Sequence, residues 1–154
     1  MFRTPLSLFR VLAVAEAISW TLLIAALITR AVTDVAIVVS IAGGIHGFVF
    51  LSYGATAIVV AKNQRWGVRP AFVAIASAVI PYATIPTEIW LHRTGRLQGE
   101  WRRTATEDPR DHTWHDRMMR RLLNHPWVFA VMVVAAVIAL FVVLLIIGPP
   151  GGKG

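Results

Sequence analysis

The sequence predicts an all-α integral membrane protein built from four apolar helical segments and a short amphipathic interfacial helix. Of the 154 residues, 56% are hydrophobic and only 15% are charged, whereas a soluble domain carries roughly 25% charged residues. The mean hydropathy of +0.65 agrees with this contrast. Each apolar run approaches the ~20 residues that cross a hydrocarbon layer of ~30 Å. We therefore expect a multi-pass protein of the plasma membrane.

The first apolar segment, about residues 11–29, follows Arg3 and Arg10. A small-residue motif at 15–17 resembles a signal-peptidase site, but a cleaved signal needs an uninterrupted apolar run of about 7–15 residues before that site. Arg10 interrupts this run, and apolar residues continue beyond the motif. The segment is therefore predicted to be an uncleaved first span. A short turn leads into the second segment, about residues 35–61.

The third segment, about residues 70–91, contains Pro81 and Pro86, and a proline inside a helix breaks the local hydrogen-bond ladder. Basic residues favour the cytoplasmic side, yet this segment has basic stretches on both sides, at 62–69 and 94–126. One alternative is four full crossings with an imperfect charge bias, and the sequence favours it. The other is a re-entrant third segment, which is allowed only where other helices shield it.

The chain divides into four parts by composition. Residues 1–93 form a membrane core of three segments, and residues 94–126 form a polar, basic loop that carries the interfacial helix. Residues 127–148 are predicted to be the fourth transmembrane helix, because they are apolar almost throughout. Residues 149–154 are rich in glycine and are predicted to be a disordered tail.

Two features predict the interfacial helix. Asp108 followed by Pro109 is typical of a helix start, with an N-cap and then proline at the first helical position. Apolar residues then recur at every fourth position, at Trp114, Met118 and Leu122. This spacing places them on one face, so we expect a short helix lying on the membrane surface.

The net charge of +7 comes from 15 basic and 8 acidic residues, and most of the basic residues lie beside apolar segments. This pattern predicts contact with anionic lipid headgroups rather than nucleic acid, since no basic stripe lies on a soluble module. The chain has no cysteine, which excludes disulfides, thiolate metal sites and cysteine nucleophiles. We recognise no catalytic set, metal motif or cofactor motif, so we expect a non-catalytic protein without a metal or cofactor.

Two polar residues interrupt the first two segments, Glu16 and His46. A carboxylate in hydrocarbon is costly and usually faces a partner or a cavity. If the segments form an antiparallel hairpin, Glu16 and His46 lie at similar depth, and Arg10 matches Tyr53 in the same register. We therefore predict that Glu16 and His46 form a buried polar pair in contact. The supporting polar residues are Arg10, Ser19 and Tyr53.

Small residues surround this pair on both helices. Ala13 and Ala17 share a helical face with Glu16, and Gly43 and Gly47 share a face with His46. Such pairs of small residues allow membrane helices to approach closely, so we predict a tight seam between the two segments. Two interpretations of the polar pair stay open: a hydrogen-bonded clasp between helices, which we favour, and a proton-linked or ligand-binding pair.

The positions of the polar residues in the first three segments also resemble the pattern of a known family. The motifs are Phe9-Arg10, Glu16-x-x-Ser19 and His46-Gly47-x-x-Phe50-x-x-Tyr53, followed by a third segment that contains proline. Over about residues 9–93 the chain resembles the YdzA-like family of small bacterial integral membrane proteins, a domain of unknown function common in actinobacteria. It differs at Ala17, where the family favours glycine, and it adds the polar loop and the fourth segment. The resemblance implies a membrane protein without an assigned activity.

The function expected from the sequence is that of an accessory or assembly subunit of a larger membrane complex, for example an actinobacterial respiratory oxidase supercomplex. The small size, the apolar fourth segment and the basic surface helix favour this reading. The alternative is a small oligomeric transporter or channel that uses Glu16 and His46. The expected partners are therefore anionic lipid and either a larger complex or further copies of the chain.

Overall fold

The computed structural model describes residues 3–147, and all regular structure in this range is helical. The helices are α1 (Pro5–Thr33), α2 (Ile37–Asn63), α3 (Val68–Ala76), α4 (Thr84–Arg93), α5 (Trp114–Asn124) and α6 (Pro126–Ile147), with 3-10 turns at Ser77–Val79 and Pro109–His112. Within the described range, α1, α2 and α6 are long and apolar enough to cross a membrane. The predicted helical class is therefore confirmed. The predicted tail, residues 149–154, lies outside the described residues.

Helix α1 begins earlier than the apolar run because the sequence before it caps the helix. The Thr4 hydroxyl accepts a hydrogen bond from the Ser7 amide (3.2 Å), and the Ser7 hydroxyl accepts one from the Thr4 amide (3.3 Å). This capping box, followed by Pro5 in the first turn, satisfies amides that have no partner inside the helix. The helix ends at Asp34, whose φ of 57° is left-handed.

Helices α1 and α2 form the predicted antiparallel hairpin. The rings of Phe9 and Tyr53 lie 5.4 Å apart, and the Ser19 hydroxyl lies 2.9 Å from Nδ1 of His46. These contacts lie within a helical turn of the register expected from the sequence. We call the end where α1 begins and α2 finishes the basic end, and the end at residues 34–36 the far end.

The third segment turns back in the middle of the bundle. From the basic end, α3 rises beside α2 until the Tyr53 hydroxyl lies 3.1 Å from that of Ser77. The Trp20 indole then donates to the carbonyl of Ala78 (3.3 Å), and the hydroxyl of Tyr82 lies 3.3 Å from that of Thr21. These contacts place the tip of the segment beside the middle of α1.

Helix α4 then descends along α1 to the basic end. Its first residue, Thr84, contacts the carbonyl oxygen of Ala13 (3.0 Å), and Glu88 forms an ion pair with Arg10 one turn further down (2.9 Å). Beyond its last turn, the carbonyl of Arg96 accepts a hydrogen bond from the Trp66 indole (2.7 Å). We call α3, the following turn and α4 the re-entrant hairpin, because it enters and leaves at the same end.

Pro81 accounts for the turn. It lacks an amide hydrogen, its ring obstructs a continuing helix, and Tyr82 after it adopts a positive φ of 64°. Pro86, by contrast, lies in the first turn of α4, where an amide hydrogen would have no helical partner. Only one of the two prolines therefore breaks the segment.

Within residues 3–147 the third segment forms two short helices joined by a turn rather than one long helix, so three helices are long and apolar enough to cross a membrane. This path corresponds to the re-entrant alternative. The reason is the local break at Pro81 together with the polar surface that α1 offers to the returning helix. This arrangement also removes the charge conflict, because the stretches 62–69 and 94–126 both lie at the basic end.

The polar stretch packs against the basic end. Asp108 does act as an N-cap, but of the short 3-10 turn, and α5 begins only at Trp114. Leu123 of α5 is buried in the core with Met119 beside it, whereas Trp114 and Met118 are exposed. A helix is therefore present in the predicted stretch, as α5, and its residue Leu123 is turned towards the bundle.

Helix α6 runs from the basic end towards the far end along α2. Phe129 packs on the core at the basic end, and the ring of Phe141 lies 6.3 Å from that of Phe48 higher in the bundle. Most of its other side chains are exposed. The fourth predicted segment is therefore a helix whose surface is available to lipid.

The re-entrant path predicts one labelling pattern. Since the chain has no cysteine, single cysteines can be placed at Gly67 and at Thr104, which the structure puts at the basic end, and at Ala36, at the far end. We expect an impermeant maleimide to label the first two from the same side of the membrane and the third from the other side. Labelling of 67 and 104 from opposite sides would restore four crossings.

Candidate functional site

Two groups of polar residues stand out in the structure. The first, the inner polar cluster, lies where the re-entrant hairpin meets α1 and α2, and its members are Glu16, Ser19, His46, Ser77 and Thr84. The second, the end network, lies at the basic end, and its members are Lys62, Arg65, Arg102, Asp108, Arg110, Asp111, Asp116 and Arg120. The predicted polar pair belongs to the first group.

Glu16 is completely buried, and its carboxyl group contacts the re-entrant hairpin. The Thr84 hydroxyl lies 3.2 Å from Oε2 of Glu16 and 3.0 Å from the carbonyl oxygen of Ala13. Because a hydroxyl has one hydrogen to donate, these two acceptors share it. Oε1 of Glu16 is buried without a hydrogen-bond partner, so the cluster has acceptor capacity left over.

His46 is held by α1 rather than by the carboxyl group. Its Nδ1 lies 2.9 Å from the Ser19 hydroxyl, which itself donates to the carbonyl of Glu16 (2.8 Å). Which of the two groups donates in the Ser19–His46 hydrogen bond depends on the tautomer of the histidine. The ring also packs against Trp20, with centroids 4.4 Å apart.

The predicted direct contact between Glu16 and His46 is therefore replaced by two separate contacts. Among the described residues the structure gives no ion pair or hydrogen bond between these side chains. Thr84 of the re-entrant hairpin contacts the carboxyl group of Glu16. Ser19, one turn further along α1, contacts the imidazole ring of His46. The sequence predicted Ser19 as a supporting residue of the pair as a whole, and in the structure its hydroxyl contacts His46.

The other supporting residues take different partners. Arg10 pairs with Glu88 of α4, its Nε lying 2.9 Å from the carboxylate, rather than with α2. Tyr53 is completely buried and contacts Phe9 and Ser77. Counting from the turn therefore placed these residues at the correct depth along α1 and α2. Their partners were not predicted, because the third segment supplies contacts that a hairpin of two helices does not include.

The predicted small-residue seam is wrong on the α2 side. A Cβ atom at Gly47 would lie 3.2 Å from the ring of Phe141 of α6, and one at Gly43 would meet nothing within 4 Å. Gly47 therefore accommodates α6 and not α1. On α1, Ala13 is buried, with its carbonyl bonded to Thr84, and Ala17 is half-buried.

The end network joins the end of α2 to the polar stretch. Arg102 donates to the carbonyl oxygens of Asn63 (2.6 Å) and Lys62 (3.1 Å), and the Asn63 side chain accepts from the Arg102 amide (2.9 Å). The last carbonyls of a helix lack partners inside it and favour cations. Arg102 therefore caps α2 with both hydrogen bonds and charge.

Asp111 is the centre of this network. Its carboxylate is almost fully buried, pairs with Arg65, Arg102 and Arg120, and accepts from the amide and hydroxyl of Thr106. The hydrogen bonds from Thr106, together with the charges of Arg65 and Arg102, lower the pKa of Asp111 to about 2. The sequence did not predict this ion-pairing role for Asp111, although an acidic side chain within an arginine-rich stretch was the available signal.

Comparison with known proteins agrees with the membrane fold. Residues 6–93, more than half of the chain, match the family described as Domain of unknown function (DUF3817). A Streptomyces coelicolor protein described as a membrane protein, SCO5905, is 35% identical over 91 residues, which are 58% of this chain and 11% of that relative. The chain thus spans only a small part of its relative's length. No solved structure matches the chain.

The matched range has a structural meaning. It begins within the first turn of α1 and ends at Arg93, the last residue of α4. It therefore contains α1, α2, the re-entrant hairpin and the whole inner polar cluster. The end network mostly lies beyond it.

The inner cluster predicts which side chains are energetically coupled. Double-mutant cycles of unfolding in detergent should give about 0.6–1.7 kcal/mol for Ser19→Ala with His46→Phe, the range of hydrogen bonds between membrane helices. Glu16→Gln with His46→Phe should give a smaller value, because these side chains have separate partners. A larger coupling for the second cycle would favour the direct pair predicted from the sequence.

The end network predicts a dependence of stability on acid. Because the folded pKa of Asp111 lies below the ordinary value of 3.8, its ionised form stabilises the fold above about pH 4, and this contribution is lost as the pH falls towards 2. The melting temperature should therefore drop over this window in the wild type. It should drop less in Asp111→Asn, which starts lower at neutral pH, while Asp34→Asn at the far end should retain the wild-type profile.

Proposed function

This chain belongs to the DUF3817 family, and from that premise we propose that it is a non-catalytic accessory subunit of a larger membrane complex of the plasma membrane. Its re-entrant hairpin is the docking surface. The proposal rests on one observation about the tip of this hairpin, residues 79–83. The tip lies at the middle of the bundle, yet it is exposed and largely non-helical.

The depth of the tip follows from its contacts on α1. Thr21 contacts Tyr82 of the tip, and Trp20 contacts Ala78 just before it. Both lie midway between Arg10 and Arg30, which bound the apolar part of α1. Twenty residues of helix at 1.5 Å each span about 30 Å, the thickness of the hydrocarbon layer. The tip therefore belongs near the centre of that layer.

Exposure of such a tip to lipid is unfavourable. Non-helical backbone at this depth is tolerated where protein buries it or where it lines a water-filled cavity. Yet Val79 is 65% exposed, Ile80 61% and Tyr82 44%, and the hydroxyl pair of Thr21 and Tyr82 lies on the same outer surface. A membrane protein that covers this surface removes the cost.

The family relative supports a larger protein as the partner. In the Streptomyces protein the matched segment forms 11% of a longer chain, so a core of this kind occurs there together with much more protein. An equivalent association can be formed without a covalent link. An actinobacterial respiratory oxidase supercomplex is one host that copurification can identify.

One observation favours the alternative, a small oligomeric transporter or channel. Oε1 of Glu16 is buried without a hydrogen-bond partner, close to the break in the re-entrant hairpin. Broken helices beside ionisable groups are found at ion sites of transporters. In that case a second copy of the chain, rather than a different protein, would cover the tip.

Photo-crosslinking distinguishes these occupants. A benzophenone side chain at Ile80 reports on the tip, and one at Ile138, which is 48% exposed on α6, is the matched control on a lipid-facing helix. We expect Ile80 to crosslink in native membranes to one protein other than this chain, and Ile138 to give no protein adduct of comparable yield.

The same partner should copurify at a fixed ratio in mild detergent, and the tip variant Ile80→Ala should weaken this association while Ile138→Ala retains it. An adduct with twice the mass of the chain would favour the oligomeric transporter. Equal, diffuse labelling from both positions would mean that the tip faces lipid, and it would overturn the docking proposal.

A further inference from the structure

A cavity of about 480 Å³ lies at the basic end, between the end of α2 and the start of α5. Lys62, Arg65, Arg110 and His115 supply its basic lining, and Trp66, Thr113 and Asp116 also contribute. We propose that this cavity binds the phosphate group of an anionic ligand, and that the ligand is the headgroup of an anionic phospholipid with a terminal phosphate. This inference is independent of the docking proposal, since it concerns the basic end and not the tip of the re-entrant hairpin.

The charges around the cavity do not balance. The end network contains five cationic side chains and three carboxylates, so its ion pairs leave two positive charges in excess. Arg110 is 70% exposed in its side chain although it is paired with Asp108. A phosphate with one or two negative charges would neutralise this excess, and arginine binds phosphate in charge-assisted hydrogen bonds.

Hydrogen-bond donors are also left over. The Nε atom of Arg65 is buried without a hydrogen-bond partner, as is Nε2 of the neighbouring Gln64. At the basic end, the acceptor Oδ1 of Asp116 is also buried without a hydrogen bond, but it already lies 3.3 Å from the Lys62 ammonium. A ligand that brings acceptor oxygens to Arg65 therefore suits the cavity better than a cationic one.

The surroundings favour a lipid as the source of the phosphate. Trp66 packs against Phe9 near the start of α1, and tryptophan side chains mark the boundary between hydrocarbon and headgroups. On α5, the exposed apolar residues Trp114 and Met118 flank His115. Basic pockets between membrane helices on the cytoplasmic side are suited to anionic headgroups, and the apolar neighbours can contact the acyl chains.

Calorimetric titration of the full chain in a neutral detergent tests the site with defined probes: dioctanoyl phosphatidic acid, dioctanoyl phosphatidylcholine and inorganic phosphate. We expect one phosphatidic acid per chain. Phosphatidylcholine, whose choline group opposes the excess positive charge, should bind at least about tenfold more weakly. Inorganic phosphate should compete with phosphatidic acid but bind more weakly, because it lacks the apolar contacts.

Two arginine variants separate the cavity from the general surface charge. Arg110→Gln should weaken phosphatidic acid binding about tenfold or more, since hydrogen bonds to charged groups are the strong ones. Arg117→Gln removes the same charge from an exposed position of α5 outside the cavity lining and should have little effect. The melting temperature without ligand shows that each variant is folded, and His115→Gln provides a second cavity variant if Arg110→Gln is not.

Equal losses for Arg110→Gln and Arg117→Gln would mean that diffuse surface charge attracts the lipid, and they would refute the site. Equal affinity for phosphatidic acid and phosphatidylcholine would refute it as well. Phosphate that binds as tightly as phosphatidic acid would overturn the lipid as the ligand and assign the cavity to a soluble phosphate compound.

Discussion

The constraint on which the structure depends is that backbone inside hydrocarbon must find its hydrogen bonds within the protein. Pro81 interrupts the third segment, so this segment cannot cross as an independent helix. It is stabilised instead along α1 by the contacts of Trp20 with Ala78 and of Thr84 with Ala13. The buried carboxyl group of Glu16 lies beside these contacts and accepts a hydrogen bond from Thr84 of the returning helix.

The return of the hairpin determines what happens at the basic end. Because α4 comes back to the level of Arg10, the following polar stretch begins next to the end of α2 rather than across the membrane. Arg102 can then cap α2, and Asp111 can form ion pairs with arginines from both basic stretches, 62–69 and 94–126. The end network is thus a consequence of the break at Pro81, although that residue lies outside it.

Properties that depend on local sequence were predictable, and those that depend on the path of the third segment were not. Hydropathy located α1, α2 and α6, and antiparallel counting placed Glu16 and His46 at nearly the same depth. The partner of Glu16 could not be derived in this way, because Thr84 is far away in sequence and reaches α1 only when the hairpin turns back. Gly47 was assigned to the interface with α1, whereas it packs against α6, for a similar reason. Helical spacing shows which residues share a face, but it does not show which of two neighbouring helices contacts that face.

The odd number of long apolar helices has a consequence for where the two outermost of them end. Pro5 and the last described residue of α6, Ile147, lie at opposite ends of the bundle. If α1, α2 and α6 each cross the membrane, these two residues face different compartments, whereas with four crossings both would face the same one. A partner that contacts the start of α1 and a partner that contacts the end of α6 would then meet the chain on different sides, and a single copy could link events on the two sides.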